Sequence, residues 1–118
     1  MAEAENIIEI TSKAQFDEAV KSEKLTIVDF WAVWCGPCRV LKPLLHKIAS
    51  EHPEIQLLTV DVDANGELAA EYNINSIPAV FMFKNGQNID NFVGVMPENE
   101  ILEKIQKLNN TPEDEIVE

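Results

Sequence analysis

Bases are scarce in this sequence. Nine Lys and Arg stand against 21 Asp and Glu, a formal net charge of −12 over 118 residues. Such a surface repels phosphate backbones and anionic lipid, both of which are bound through concentrated Lys and Arg, so no nucleic-acid or membrane partner is expected. No apolar run approaches the roughly 18–20 residues of a membrane span. The first residues carry Glu3 and Glu5 where a secretory leader has Lys or Arg, and no apolar stretch follows them. No Gly-rich nucleotide fingerprint is present among the four glycines, so no bound organic cofactor is expected. Two cysteines are too few for a disulfide framework. The expectation is a soluble, cytoplasmic protein.

What is present is the composition of a globular domain, 46% apolar and 25% charged, in a chain of about one domain's length. Charge is unevenly spread. From Phe30 to Ser50 there is no carboxylate, while Arg39, Lys42 and Lys47 fall inside that stretch. This locally positive segment also contains both cysteines.

No repeat or Gly/Ser-rich linker divides the chain. Ile7 to Ile10 is a short β-prone run, and Ser12 with Gln15 resembles a capping box ahead of a helix carrying Phe16, Ala19 and Val20. Leu25 to Trp31 is rich in β-branched and aromatic residues and reads as a central strand buried on both faces. Val40, Leu41, Leu44, Leu45, Ile48 and Ala49 then recur at helical spacing, with Pro43 expected to kink that helix. Ile55 to Val62 reads as a strand, and Gly66 to Tyr72 as a short helix or irregular turn. Ala79 to Phe83 and Asn88 to Val93 read as strands joined through Asn85-Gly86, a hairpin signal. Pro97 suits the first turn of a last helix whose apolar face is Ile101, Leu102, Ile105 and Leu108. The order β-α-β-α-β-α-β-β-α predicts an α/β domain: a mixed five-stranded sheet, parallel βαβ units plus a C-terminal hairpin, flanked by four helices. The domain is expected over residues 1–110, with 111–118 an acidic, frayed tail.

The chemistry concentrates in Cys35-Gly36-Pro37-Cys38, where the central strand ends and a helix begins. Unpaired N–H groups and the helix dipole favour thiolate at Cys35, and Arg39 and Lys42 add to that potential. A zinc site built from Cys35, Cys38, His46 and His52 would need all four to converge, but His46 lies eight residues beyond Cys38, roughly 12 Å along a helix. A structural disulfide across two residues restricts the unfolded chain little. Two inert buried thiols would leave the electropositive helix start without a use. A redox dithiol fits best. Thiolate activation alone would contribute little. Lowering a thiol's pKa raises its thiolate fraction but weakens the nucleophile, at a Brønsted slope of roughly 0.4–0.5, so much of the gain cancels. The larger gain must come from Cys38 being held beside the mixed disulfide.

Taken together, Val28-Asp29-Phe30-Trp31-Ala32-Val33-Trp34-Cys35-Gly36-Pro37-Cys38, then Ile77-Pro78, Phe83-Lys84-Asn85-Gly86 and Val93-Gly94, resemble the thioredoxin family. The resemblance runs from about Ile7 to Leu108 and implies the thioredoxin fold, with a thioredoxin domain over 1–110. It implies a protein-disulfide oxidoreductase in which Cys35 is the nucleophile, Cys38 resolves the mixed disulfide, and Gly36 and Pro37 tune the redox pair. No cofactor is then bound; the redox group is the Cys35–Cys38 disulfide.

Asp29 lies within the strand Leu25 to Trp31. Burial unpaired would favour its neutral form, although an Asp near a strand end also reaches solvent in many proteins. The resemblance makes it the proton acceptor from Cys38. Many bacterial relatives carry a Lys on the neighbouring strand where this chain has Thr59, so Asp29 lacks that partner here. A Pro before a strand is usually an ordinary entry residue. The resemblance implies instead that Pro78 is cis and packs against the disulfide, with the Ile77 backbone pairing to an extended substrate. It also implies an apolar substrate patch of Gly94 and Val95 beside Trp34, Gly36 and Pro37. Ala79 stands where many relatives have Thr, with little effect expected. Trp31 is expected to pack under the site and Trp34 to be partly exposed at its rim.

Gly36-Pro37 lacks the His typical of oxidant relatives, so the direction implied is reduction. Electrons are expected from an NADPH- and flavin-dependent thioredoxin reductase and to pass to disulfide-containing substrate proteins, by a monomer. Two alternatives stand beside this: a binding or scaffold module in which the dithiol is incidental, and a secreted disulfide oxidant or isomerase.

Overall fold

A computed structural model describes residues 4–110; the tail expected over 111–118 lies outside the described residues. Its elements are β1 (Ile7–Glu9), α1 (Lys13–Ala19), β2 (Leu25–Trp31), α2 (Cys38–Glu51), β3 (Ile55–Asp61), α3 (Gly66–Glu71), β4 (Ala79–Lys84), β5 (Gln87–Val93) and α4 (Glu98–Asn110). The strands form one sheet in the order β1-β3-β2-β4-β5. β3 pairs in parallel with β1 and β2, whereas β4 is antiparallel to both β2 and β5. The expected mixed five-stranded sheet with four helices is what the described residues form.

Alternation along each strand divides the core into two layers. Leu25 and Ile27 pack with Leu41, Leu45 and Ile48 of α2 and with Ile101 and Ile105 of α4. Val28 and Phe30 point the other way, into a cluster with Phe16 of α1, Leu68 of α3 and Phe83 of β4. β2 is therefore covered on both faces, as its apolar run predicts, and it pairs with β3 and β4 on its two edges. That central place carries the end of β2 to the site.

Local signals operate with small shifts. The Ser12 hydroxyl accepts the Gln15 N–H at 3.1 Å, while the Gln15 side chain reaches back to Thr11 rather than to Ser12. Asn85 and Gly86 take φ of 54° and 82°, the two-residue turn that Asn-Gly favours. The second helix continues as one element through Pro43. Val40, grouped above with its apolar face, is instead 61% exposed. It lies one position from buried Leu41, about 100° around the helix, and so rotates out of the stripe.

Candidate active site

The site is built where β2 hands over to α2. After Trp31 the chain turns back through residues 32–37, with the Cys35 N–H bonded to the Ala32 carbonyl at 3.1 Å. Pro37 caps α2 with φ −60° and has no side-chain acceptor of its own for the helix start. The acceptor there is sulfur: the Cys38 N–H donates to Cys35 Sγ at 3.2 Å. Cys35 thus sits three residues ahead of the first helical residue, with its sulfur at the positive helix end. The two cysteines are joined by a disulfide, their Cα atoms 5.3 Å apart, and are 4% and 2% exposed. Around them pack Ala32, Trp31, Val62 and Ile77.

Ile77, which packs against the cysteines, brings a further loop to this point. The Ile77–Pro78 peptide is cis. Gly94, at φ +91°, donates its N–H to the Pro78 carbonyl at 2.8 Å, tying the end of β5 to that loop. Only glycine adopts such a φ readily. Val95 beside it is half exposed and Trp34 largely so. The Trp34 indole N–H donates to Asp63 at 2.8 Å, which holds the ring at the rim. Gly36 is exposed, and a Cβ built on it would meet nothing within 4 Å. The side chains packed against the disulfide are apolar: Ala32, Trp31, Val62 and Ile77.

Asp29 is 1% exposed, and neither of its carboxylate oxygens has a hydrogen-bond partner among the described residues. It alternates with Ile27 and Trp31, so it lies on the face of β2 that α2 covers. Burial raises its pKa from the ordinary 3.8 to about 7, and the Lys42 ammonium acts in the opposite sense. Thr59 is its register partner on β3 and Val80 on β4. No group of three or more His, Cys, Asp or Glu side chains disposed to hold a metal ion occurs among the described residues.

Several features of the site were not anticipated from sequence. Trp31, Ala32, Val33, Cys38, Arg39, Lys42, Pro43 and His46 line a cleft of about 710 Å³ along the first two turns of α2. Lys42 places its ammonium 3.9 Å from the centre of a Trp31 ring. Val33, two residues before Cys35, and Val93, at the end of β5, are large apolar residues left exposed. The carboxylate-free stretch was the available signal for the cleft. Nothing local to Trp34 pointed to Asp63, which is 29 residues away.

The family model described as Thioredoxin matches residues 7–107. A thioredoxin of Mycoplasmoides gallisepticum is 39% identical over 97 residues, covering 82% of this chain and 97% of its own. A thioredoxin of Staphylococcus aureus is 40% identical over 102 residues, covering 86% and 96%. Among solved structures, a mutant thioredoxin from Halobacterium salinarum superposes with a TM-score of 0.83 at 25% identity, over 95% of this chain and 98% of that one.

Proposed function

The chain belongs to the thioredoxin family, a family of protein-disulfide oxidoreductases, and we propose from that premise that it works as a general reductase of protein disulfides. The observation that carries the reading is the Cys35–Cys38 disulfide at the head of α2, with a helix N–H directed at the Cys35 sulfur. In the reduced protein that N–H and the helix dipole stabilise charge on Cys35.

The thiolate of Cys35 attacks a substrate disulfide, forming a mixed disulfide and releasing one substrate thiolate. Cys38 passes its proton to the Asp29 carboxylate and attacks the Cys35 sulfur. The bond to substrate breaks, the second substrate thiolate leaves, and the internal disulfide re-forms with two electrons transferred. Asp29 suits the acceptor role because a carboxyl near 7 is poised between its two forms at neutral pH. The substrate lies along the Ile77–Pro78 segment against Trp34, Gly36, Pro37, Gly94 and Val95. An NADPH- and flavin-dependent thioredoxin reductase returns the electrons, and a reducing cytoplasm is the compartment in which such a cycle runs.

The equilibrium reduction potential of Cys35–Cys38, followed by tryptophan fluorescence in thiol redox buffers, tests the direction. A value below the cytosolic glutathione poise of about −220 to −260 mV supports the reductase; an oxidising value reverses the direction and the compartment. Single-turnover kinetics test Asp29. Asp29→Asn is expected to slow resolution and leave the initial attack of Cys35 intact, and equal slowing of both steps removes the role.

A further inference from the structure

Asp29 is asked to accept a proton in a place that resists charge. Its oxygens have no hydrogen-bond partner among the described residues and almost no solvent, so its willingness to ionise depends on whichever charges face it. The structure identifies those charges element by element. On β3 its register partner is the neutral Thr59, and the nearest acid, Asp61 opposite Trp31, turns an oxygen to the N–H groups of Asp63 and Ala64 at 2.9 and 3.4 Å. On β4 its partner is Val80. α4, on the same face, has Lys104 bound to Asp90 at 2.7 Å and Glu98 to Lys47 at 2.9 Å. On α2, Arg39 turns outward to the Val33 carbonyl at 3.3 Å, and His46 lines the cleft one turn beyond Lys42.

Lys42 remains, and two geometric relations set it apart. It lies four residues after Cys38, hence on the same side of α2 and in the same cleft. Its ammonium is held 3.9 Å from a Trp31 ring centre. Trp31 stands two residues after Asp29, on the same face of β2, where neighbouring side chains are spaced about 6.6 Å apart. The ring face attracts the cation and fixes it over the strand.

We propose that Lys42 is a positioning residue for resolution: held over Trp31, it supplies the positive charge that lets Asp29 stand as a carboxylate and so receive the Cys38 proton. The opposing pull of Lys42 against burial at Asp29 agrees with this geometry. The inference rests on the proposed role of Asp29, but its decisive readout does not depend on activity.

That readout is the Asp29 titration in the oxidised protein, where neither cysteine titrates, followed by carboxyl carbon NMR, which separates Asp29 from His46. Lys42→Met keeps a long side chain over Trp31 and removes the charge. The expected result is an upward shift of the Asp29 midpoint by about half a unit or more, about threefold in proton affinity, restored to within about 0.2 unit by Lys42→Arg. In single-turnover assays Lys42→Met slows resolution about threefold near pH 6.5, and the two rates converge by pH 9. In an Asp29→Asn background, Lys42→Met leaves the pH profile of resolution unchanged. A midpoint within about 0.2 unit of the parent, or an equal loss at every pH, overturns the proposal. An effect that persists in the Asp29→Asn background means that Lys42 acts on Cys38 directly, and overturns it too. If Asp29→Asn itself fails to slow resolution, the acceptor role falls, while the titration still decides what Lys42 does to Asp29.

Discussion

Burial of Asp29 makes the stability of this protein depend on pH in an unusual sense. Most carboxylates that matter to a fold have lowered pKa values and stabilise it as pH rises. Asp29 is raised from 3.8 to about 7. Between those values the folded state keeps a proton that the unfolded chain has released. The folded state binds more protons, so stability falls as pH rises through this window and levels off above about 7. The gap between 3.8 and about 7, at about 1.4 kcal/mol per pH unit, amounts to about 4 kcal/mol lost by pH 8, but only about 1 kcal/mol by pH 4.5. At 1% exposure no solvent screening reduces the figure. Asp29→Asn has nearly the same shape and no charge, so it removes this term and leaves other titrations to cancel in the comparison. Urea unfolding of both oxidised proteins from pH 4.5 to 9 is expected to show the variant more stable, by about 1 kcal/mol at the acid end and about 4 kcal/mol at pH 8. A difference that stays flat across the range, or vanishes at pH 8, refutes the account of Asp29 as a buried carboxyl ionising near neutrality.

Other substitutions separate the parts of the site. Cys38→Ser is expected to leave attack by Cys35 intact and to accumulate the mixed disulfide with a substrate protein, visible on non-reducing gels; no accumulation would mean that Cys38 is not the resolving thiol. Gly94→Ala places a side chain at φ +91° in open space, so it should cost about 1–2 kcal/mol of stability through backbone strain alone, measured by urea midpoint. Trp34→Ala removes a ring that is 67% exposed and should change stability by less than about 0.5 kcal/mol, while raising KM for protein substrates. Leu45→Ala empties a site that is 1% exposed under α2 and should cost about 2–5 kcal/mol, with the reduction potential unchanged.

How much of this was legible in the sequence follows from how far each determinant reaches along the chain. β2 spans the same residues in the reading and in the structure, and the Asn85-Gly86 turn falls where expected, because a seven-residue apolar run and a two-residue turn are local signals. Elsewhere strand and helix ends move by a residue. Ile10 is not part of β1, though its N–H still bonds the Thr59 carbonyl at 2.9 Å. Cys35-Gly36-Pro37-Cys38 declared a redox pair from residue type and spacing, but the cis Pro78 and the acceptor role of Asp29 entered through family resemblance. What stayed hidden depends on register between distant segments. Asp63 anchors Trp34 only because the turn after β3 ends beside the loop after β2. Lys42 reaches Trp31 only because α2 folds back over its own strand.

Asp29 shows why one such contact can matter more than many local ones. Its place in an apolar strand is legible at once and marks it as costly to ionise. Whether that cost makes it a permanently neutral core residue or a working proton acceptor is decided by charge arriving from other elements. Thr59 on the adjacent strand supplies none. Lys42 on the covering helix does, and it belongs to the longest stretch of this acidic chain without a carboxylate, Phe30 to Ser50. Within that stretch Lys47 pairs with the distant Glu98 whereas Lys42 is held over Trp31, so it is tertiary packing and not local sequence that directs this one lysine toward Asp29.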